Sequence, residues 1–245
     1  MTTKLTGTRV VITGASSGFG METARVLVAA GCQVVLGARR EGRLREICDE
    51  LGETATFLAT DVTSMTQVSA LVDKCKTAFG GVDALVNNAG IMPLSMIKSG
   101  KVSEWDQMID VNIKGVLYGT NAVFNHFLKQ GHGKIVNVSS IAGKIVMPGS
   151  SVYSATKFAV NAISEGTRKE SAGVIQVTCI MPGIFATELA NTITDDAVME
   201  TLKHLDMATV ARPAAEVAES IKFALEQDQG LSINEITLRP TQQEL

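Results

Sequence analysis

Tyr153 and Lys157 stand four residues apart in the segment Tyr153-Ser154-Ala155-Thr156-Lys157, with Ser140 thirteen residues upstream of the tyrosine. Side chains at i and i+4 share one face of a helix, so phenol and ammonium would be neighbours there. A nearby cation favours the phenolate. A phenol so tuned can exchange a proton with an alcohol or ketone near neutral pH. A serine hydroxyl at the same point could hold the substrate oxygen while the proton moves. Tyrosine–lysine pairs at this spacing also occur as plain surface pairs, so the case for chemistry depends on what accompanies them.

A second group of residues lies near the N-terminus. Thr8-Arg9-Val10-Val11-Ile12-Thr13 reads as a buried strand, and Gly14-Ala15-Ser16-Ser17-Gly18-Phe19-Gly20 follows it directly. Met21, Ala24, Leu27 and Val28 then recur at helical spacing. A helix opening on a glycine turn presents unpaired N–H groups and a partial positive charge, which suits a phosphate. Glycine is needed where side chains would block a pyrophosphate. The spacing here is G-x-x-x-G-x-G, which differs from the commoner G-x-G-x-x-G dinucleotide fingerprint.

The elements that must position these residues alternate along the chain. Strands are expected at 8–13, 33–37, 55–60, 83–87, 133–138, 175–180 and 234–238, and helices at 18–30, 41–51, 64–79, 103–130, 151–172 and 213–227. This alternation predicts an α/β protein: one doubly wound Rossmann fold over 1–245, with a parallel seven-stranded sheet and helices on both faces. Ligands bind such sheets outside the carboxyl ends of the strands, where the order reverses. Residues 184–212 break the pattern; they lack an evident strand and carry mixed polarity.

Composition narrows the class further. The chain has 245 residues, 45% of them hydrophobic, and a net charge of −3, which suits one large core and gives no basic footprint for nucleic acid. No apolar run approaches the roughly 20 residues of a membrane span, and no secretory leader is evident. Cys32, Cys48, Cys75 and Cys179 are scattered without metal-ligand spacing, as expected of buried thiols in a reducing, cytoplasmic setting without a metal. His126, His132 and His204 are isolated and read as surface or loop residues rather than ligands.

Three further segments complete a pattern: Asn87-Asn88-Ala89-Gly90, Val111-Asn112-Ile113-Lys114-Gly115, and Pro182-Gly183 followed by Thr187. With the glycine turn and the Ser140–Tyr153–Lys157 set, the chain resembles the short-chain dehydrogenase/reductase family of NAD(P)-dependent oxidoreductases over nearly its whole length. The resemblance implies catalysis by Asn112, Ser140, Tyr153 and Lys157, with Asn112 holding a water in a proton relay. It assigns the cofactor's phosphates to Gly14, Ser16, Ser17, Gly18, Phe19 and Gly20, and its adenine edge to Asp61 and Val62. Asn88, Ala89, Gly90, Tyr153 and Lys157 would follow it along the cleft, with Pro182, Gly183, Ile184 and Thr187 at the nicotinamide. Residues 184–212 would form a substrate lid, within which Lys203 and His204 could swing inward.

NAD-preferring members carry aspartate at the end of the second strand, where this chain has Ala38 followed by Arg39 and Arg40. A guanidinium fits a phosphate with a bidentate fork, so NADP(H) is the expected cofactor. Glu41 is the one residue nearby that could reach the ribose instead. Ser140, Ile141, Met92, Met147, Pro148 and Phe185 are expected around the substrate; their apolar character favours a neutral ketone or aldehyde. The C-terminal Asn234–Thr241 stretch resembles the branch of clavulanate-type aldehyde reductases and 3-hydroxy-acid or serine dehydrogenases. An NADP-dependent 3-hydroxy-acid or hydroxy-amino-acid dehydrogenase therefore stays open, as does a non-catalytic NADP(H) sensor. Family members are homo-oligomers, dimers or tetramers, joined through helices equivalent to 103–130 and 151–172. Val116, Val123, Phe127, Phe158, Ala162 and Thr167 could supply apolar faces for that contact, and a buried core would read the same way.

Overall fold

The computed structural model describes residues 4–203 and 210–243. Seven parallel strands form one sheet: β1 (Arg9–Thr13), β2 (Gln33–Ala38), β3 (Ala55–Ala59), β4 (Ala84–Asn87), β5 (Gly133–Val138), β6 (Ile175–Pro182) and, last in the chain, β9 (Glu235–Leu238). Their order is β3-β2-β1-β4-β5-β6-β9. The chain winds outward from β1 to β3, then returns to place β4 on the other side of β1. That reversal leaves a crevice between the carboxyl ends of β1 and β4, the position where such sheets bind ligands.

The central strands read as continuous apolar runs because both faces are covered. Val10, Ile12, Val34 and Leu36 pack under α1 (Gly18–Ala29), α2 (Glu41–Leu51) and α8 (Ala214–Leu225) through Leu27, Leu44, Ile47, Val217 and Ile221. On the opposite face, Val11, Val35, Leu85 and Ile135 meet Leu71, Val72 and Cys75 of α3 (Met65–Phe79) and Val123 and Phe127 of α5 (Gly115–Gln130). All four cysteines are free and buried. No described helix is long and apolar enough to cross a membrane.

Three expectations need correction. The helix expected at 103–130 is α4 (Val102–Met108), a π-helical turn over Ile109–Lys114, and then α5. Periodicity alone cannot show the one-residue surplus that widens a turn from α to π. Residues 184–212 do contain strand: β7 (Phe185–Ala186) pairs in parallel with β8 (Arg212–Pro213), with α7 (Asp196–Lys203) between them. Val116, Val123, Phe127 and Thr167 face the core rather than a partner; the exposed apolar residues on these helices include Ile109, Leu117 and, on α6 (Ser151–Glu170), Phe158. Separately, His126 lies half-buried on α5 rather than on the surface.

Candidate active site

The crevice floor is built by Thr13 and Asn88, each at the end of a strand. Thr13 Oγ1 accepts hydrogen bonds from the backbone N–H groups of Asn88 and Ala89 at 3.1 and 3.2 Å. Asn88 Nδ2 donates in return to the carbonyls of Thr13 and Gly14 at 2.9 and 3.1 Å. The two glycine-containing motifs are thereby locked together. Gly14 has φ +66°, and a Cβ there would fall 2.7 Å from the Ala89 Cα, so both conformation and space require glycine. A Cβ on Gly20 would fall 2.5 Å from Gly14 O and from Asn88 Nδ2. Gly20 therefore lets the first turn of α1 close onto the strand and does not itself face the cleft.

Tyr153 and Lys157 sit on one face of α6, both buried. Burial, opposed by a hydrogen bond with Ser140, leaves the Tyr153 phenol raised to about 12. Burial also presses the Lys157 ammonium down to about 8, with nearby Cys179 opposing. Lys157 Nζ donates to Val138 O at 3.0 Å and lies 5.7 Å from the centre of the tyrosine ring. The simple expectation that the lysine alone would lower the phenol is thus overtaken by desolvation. Ser140 Oγ accepts from Ala142 N at 3.1 Å and caps a one-turn 3₁₀ helix over Ile141–Gly143.

Asn112 lies in the π-helical turn, and its side chain is fully engaged. Oδ1 accepts from Ile91 N at 2.9 Å, and Nδ2 donates to Ile91 O at 2.9 Å and to Thr156 Oγ1 at 3.1 Å. Any water held by this residue would have to use its main chain, and a π turn displaces main-chain carbonyls from the regular ladder.

Ser140, Tyr153 and Lys157 face a cavity of about 800 Å³. Every expected cofactor residue except Gly20 lines it, as do Ser140, Ile141, Met92, Met147 and Phe185 of the expected substrate pocket. Asn112 and Pro148 do not line it; Pro148 is exposed. Phe185 sets its ring edge-on to Phe19 at 6.0 Å and packs with the α1 side of the core, apart from the apolar cluster around Tyr153. That cluster contains Leu94, Ala142, Ile193 and Val198, with Met92 and Ala190 against it. Leu94 went unpredicted, since no motif marks it, while Ala190 and Ile193 lie in the segment expected as a lid without being singled out.

At the other end, Arg39 lines the cavity, exposed and without a hydrogen-bond or ion-pair partner among the described residues. Arg40 is committed: it donates to Ser16 Oγ at 3.1 Å, to Ser17 Oγ at 2.7 Å and to Glu188 at 2.9 Å. The Glu188 carboxyl is held below its usual range by Arg40 and Ser17. Glu41 is turned away and paired with Arg45 at 2.9 Å.

The segment after β6 is fastened over the cavity. Thr192 Oγ1 accepts from Met92 N at 3.1 Å, and Asp195 accepts from Ser99 Oγ at 2.6 Å and Met96 N at 3.2 Å. The Lys203 side chain and His204 lie outside the described residues. Gln243, near the C-terminus, also reaches the cavity wall, its Oε1 accepting from Ile184 N at 2.8 Å. Fifty-nine residues separate that pair, and no local signal announces it.

Residues 8–198 match the sequence profile of the short chain dehydrogenase family. An uncharacterised oxidoreductase of Staphylococcus saprophyticus subsp. saprophyticus is 45% identical over 240 residues, covering 96% of this chain and 97% of its own. A closed form of serine dehydrogenase complexed with NADP⁺ superposes with a TM-score of 0.89 at 31% identity, covering 96% of both chains. A 3-ketoacyl-(acyl-carrier-protein) reductase from Brucella melitensis complexed with NADH superposes with a TM-score of 0.86 at 27% identity, covering 97% of this chain and 98% of its own. Two motif-bearing strand ends locked into one crevice, a buried tyrosine–lysine helix beside it and these likenesses agree: the chain belongs to the short-chain dehydrogenase/reductase family.

Proposed function

We propose that this protein is an NADP(H)-dependent oxidoreductase that interconverts a neutral, largely apolar ketone or aldehyde with its alcohol. The observation that carries the reading is the convergence of Ser140, Tyr153 and Lys157 on one wall of the cavity, with Arg39 at the far end unpartnered among the described residues. A nicotinamide cofactor supplies the hydride when bound. Tyr153 gives its proton to the carbonyl oxygen as negative charge develops there, and Ser140 hydrogen-bonds the same oxygen. Lys157, poised near pH 8 by burial, resupplies the proton through its buried hydrogen-bonded surroundings. Buried Tyr153 stays protonated at neutral pH and is ready as the acid for the reductive direction.

The cradle fits a dinucleotide. Gly14 and Gly18, Ser16 and Ser17 leave backbone and hydroxyl groups facing the cavity for a pyrophosphate, and Arg39 offers the 2′-phosphate a cation. The serine dehydrogenase likeness with NADP⁺ supports the same choice, although the ketoacyl reductase was solved with NADH. Around Tyr153 the described wall is apolar, and Lys157 is its one cation among the described residues. That arrangement supports a neutral carbonyl over the 3-hydroxy-acid reading. Exposed Ile109, Leu117 and Phe158 support a homo-oligomer joined through α5 and α6, which sedimentation would reveal as an assembly broken by Phe158→Glu.

The function is tested by loss of reduced-cofactor absorbance with NADPH and, separately, NADH, across ketones, aldehydes and keto acids. Faster turnover of neutral carbonyls with NADPH is expected. Tight NADPH binding with no turnover of any carbonyl or alcohol would favour a sensor and refute the proposal.

A further inference from the structure

Asn161 lies on α6 one turn beyond Lys157, at i+8 from Tyr153, on the same helix face. It does not line the cavity and so touches neither cofactor nor substrate. Instead it grips the segment that carries Ser140. The Ser139 hydroxyl donates to Asn161 Oδ1 at 2.7 Å and lies 3.2 Å from Lys157 O. Asn161 Nδ2 donates to Gly143 O at 2.9 Å. The bonds bracket the single turn Ser140–Gly143, one just before it and one at its end. From the sheet side, the Cys179 thiol donates to Asn161 Oδ1 at 3.2 Å, which fixes the amide against β6.

A second observation shows how closely the turn is held to the helix. A Cβ on Gly143 would fall 2.7 Å from Asn161 Nδ2 and 3.0 Å from both Lys157 O and Ser139 Oγ. No side chain fits between turn and helix, so the turn can seat at only one height. Ser140 follows β5 through Ser139, whose N–H donates to Ile180 O of β6 at 2.8 Å. Without the amide, only the Ala142 N–H and the hydrogen bond with Tyr153 would hold the Ser140 hydroxyl among the described residues.

We propose that Asn161 is a positioning residue: its amide clamps Ser139 and Gly143 to α6 and thereby sets Ser140 against Tyr153. The inference rests on Ser140 and Tyr153 acting as described under Proposed function. It also explains the division of labour between adjacent serines, with Ser139 holding the loop and Ser140 facing the substrate. A half-buried amide with acceptor and donor both used on one loop is costly to remove, since its partners lose their bonds together.

The test is a double-mutant cycle on carbonyl reduction with Asn161→Ala, Ser140→Ala and the pair, each checked for Tm and NADPH affinity. Asn161→Leu, close in volume, serves where alanine fails to fold. Asn161→Ala is expected to lower kcat roughly tenfold to a hundredfold, with NADPH affinity within about twofold. In the Ser140→Ala background the same change should cost less than about twofold, because the residue acts through Ser140. The pH midpoint for kcat should also move upward, since Ser140 is the group that draws the Tyr153 phenol down. Full additivity of the two changes, or an unmoved pH midpoint, would overturn the positioning role. If Ser140→Ala itself leaves kcat intact, the reading under Proposed function fails, and the positioning role with it.

Discussion

Lys157 Nζ stands 5.7 Å from the centre of the Tyr153 ring and spends a proton on Val138 O at 3.0 Å. The ammonium is therefore close enough to feel the phenol without being paired to a carboxylate. In the cofactor-free protein it is a buried cation stabilised mainly by a carbonyl, which is why burial brings it to about 8.

That geometry fixes the sign of a stability measurement. The native value of about 8 lies below the ordinary 10.5, so between the two the unfolded chain binds more protons. Stability contributed by this group must then rise with pH across that window, by at most about 1.4 kcal/mol per unit. Denaturant melts of the cofactor-free protein from pH 7.5 to 9.5, run beside Lys157→Met, should show the wild type gaining stability relative to the variant, over the loss both share from buried cysteines whose thiols burial holds above their ordinary range. Parallel curves for the two proteins would mean that Lys157 is not desolvated as described.

Cofactor choice hangs on the end of β2. Arg39 has no partner among the described residues, while Arg40 is held by Ser16, Ser17 and Glu188. Arg39→Ala should weaken NADPH binding roughly tenfold to a hundredfold and leave NADH nearly unchanged, since a charge-assisted hydrogen bond contributes about 1.5–3 kcal/mol. Ala38→Asp should add repulsion toward the 2′-phosphate and reverse the preference. Fluorescence titration with each reduced cofactor reads both effects.

Substrate class can be moved from the cavity rim. Met147 lines the cavity and is 39% exposed, so a longer polar side chain fits there without repacking the core. Met147→Arg should raise kcat/KM for keto acids relative to uncharged ketones by about tenfold, a single well-placed ionic hydrogen bond's worth. An unchanged ratio would place the substrate away from this edge.

The sheet was legible because its strands are short apolar runs bounded by glycine and polar residues, and both faces are covered. The cofactor cradle was legible for the same reason: glycines are demanded where backbone meets backbone, as at Gly14 against Ala89. What escaped were contacts made by ordinary residues at long sequence separation. Leu94 and Ile193 join Tyr153 only after the 184–212 segment folds over, and Gln243 reaches Ile184 from the far end of the chain. The face of α5 stayed open because Val116, Val123 and Phe127 form an apolar stripe that serves core or interface equally well. Only packing distinguishes them, and it turns Leu117 outward instead.

The most direct test of the chemistry is Tyr153→Phe, a change that removes one oxygen from a buried ring and no packing surface. NADPH binding by fluorescence and NADPH oxidation with the best carbonyl should be measured on the same preparation. Retained binding with turnover reduced by at least about a thousandfold is expected, the range general acid catalysis supplies. Turnover within tenfold of the wild type would show that the proton comes from another group and that Tyr153 is not the acid.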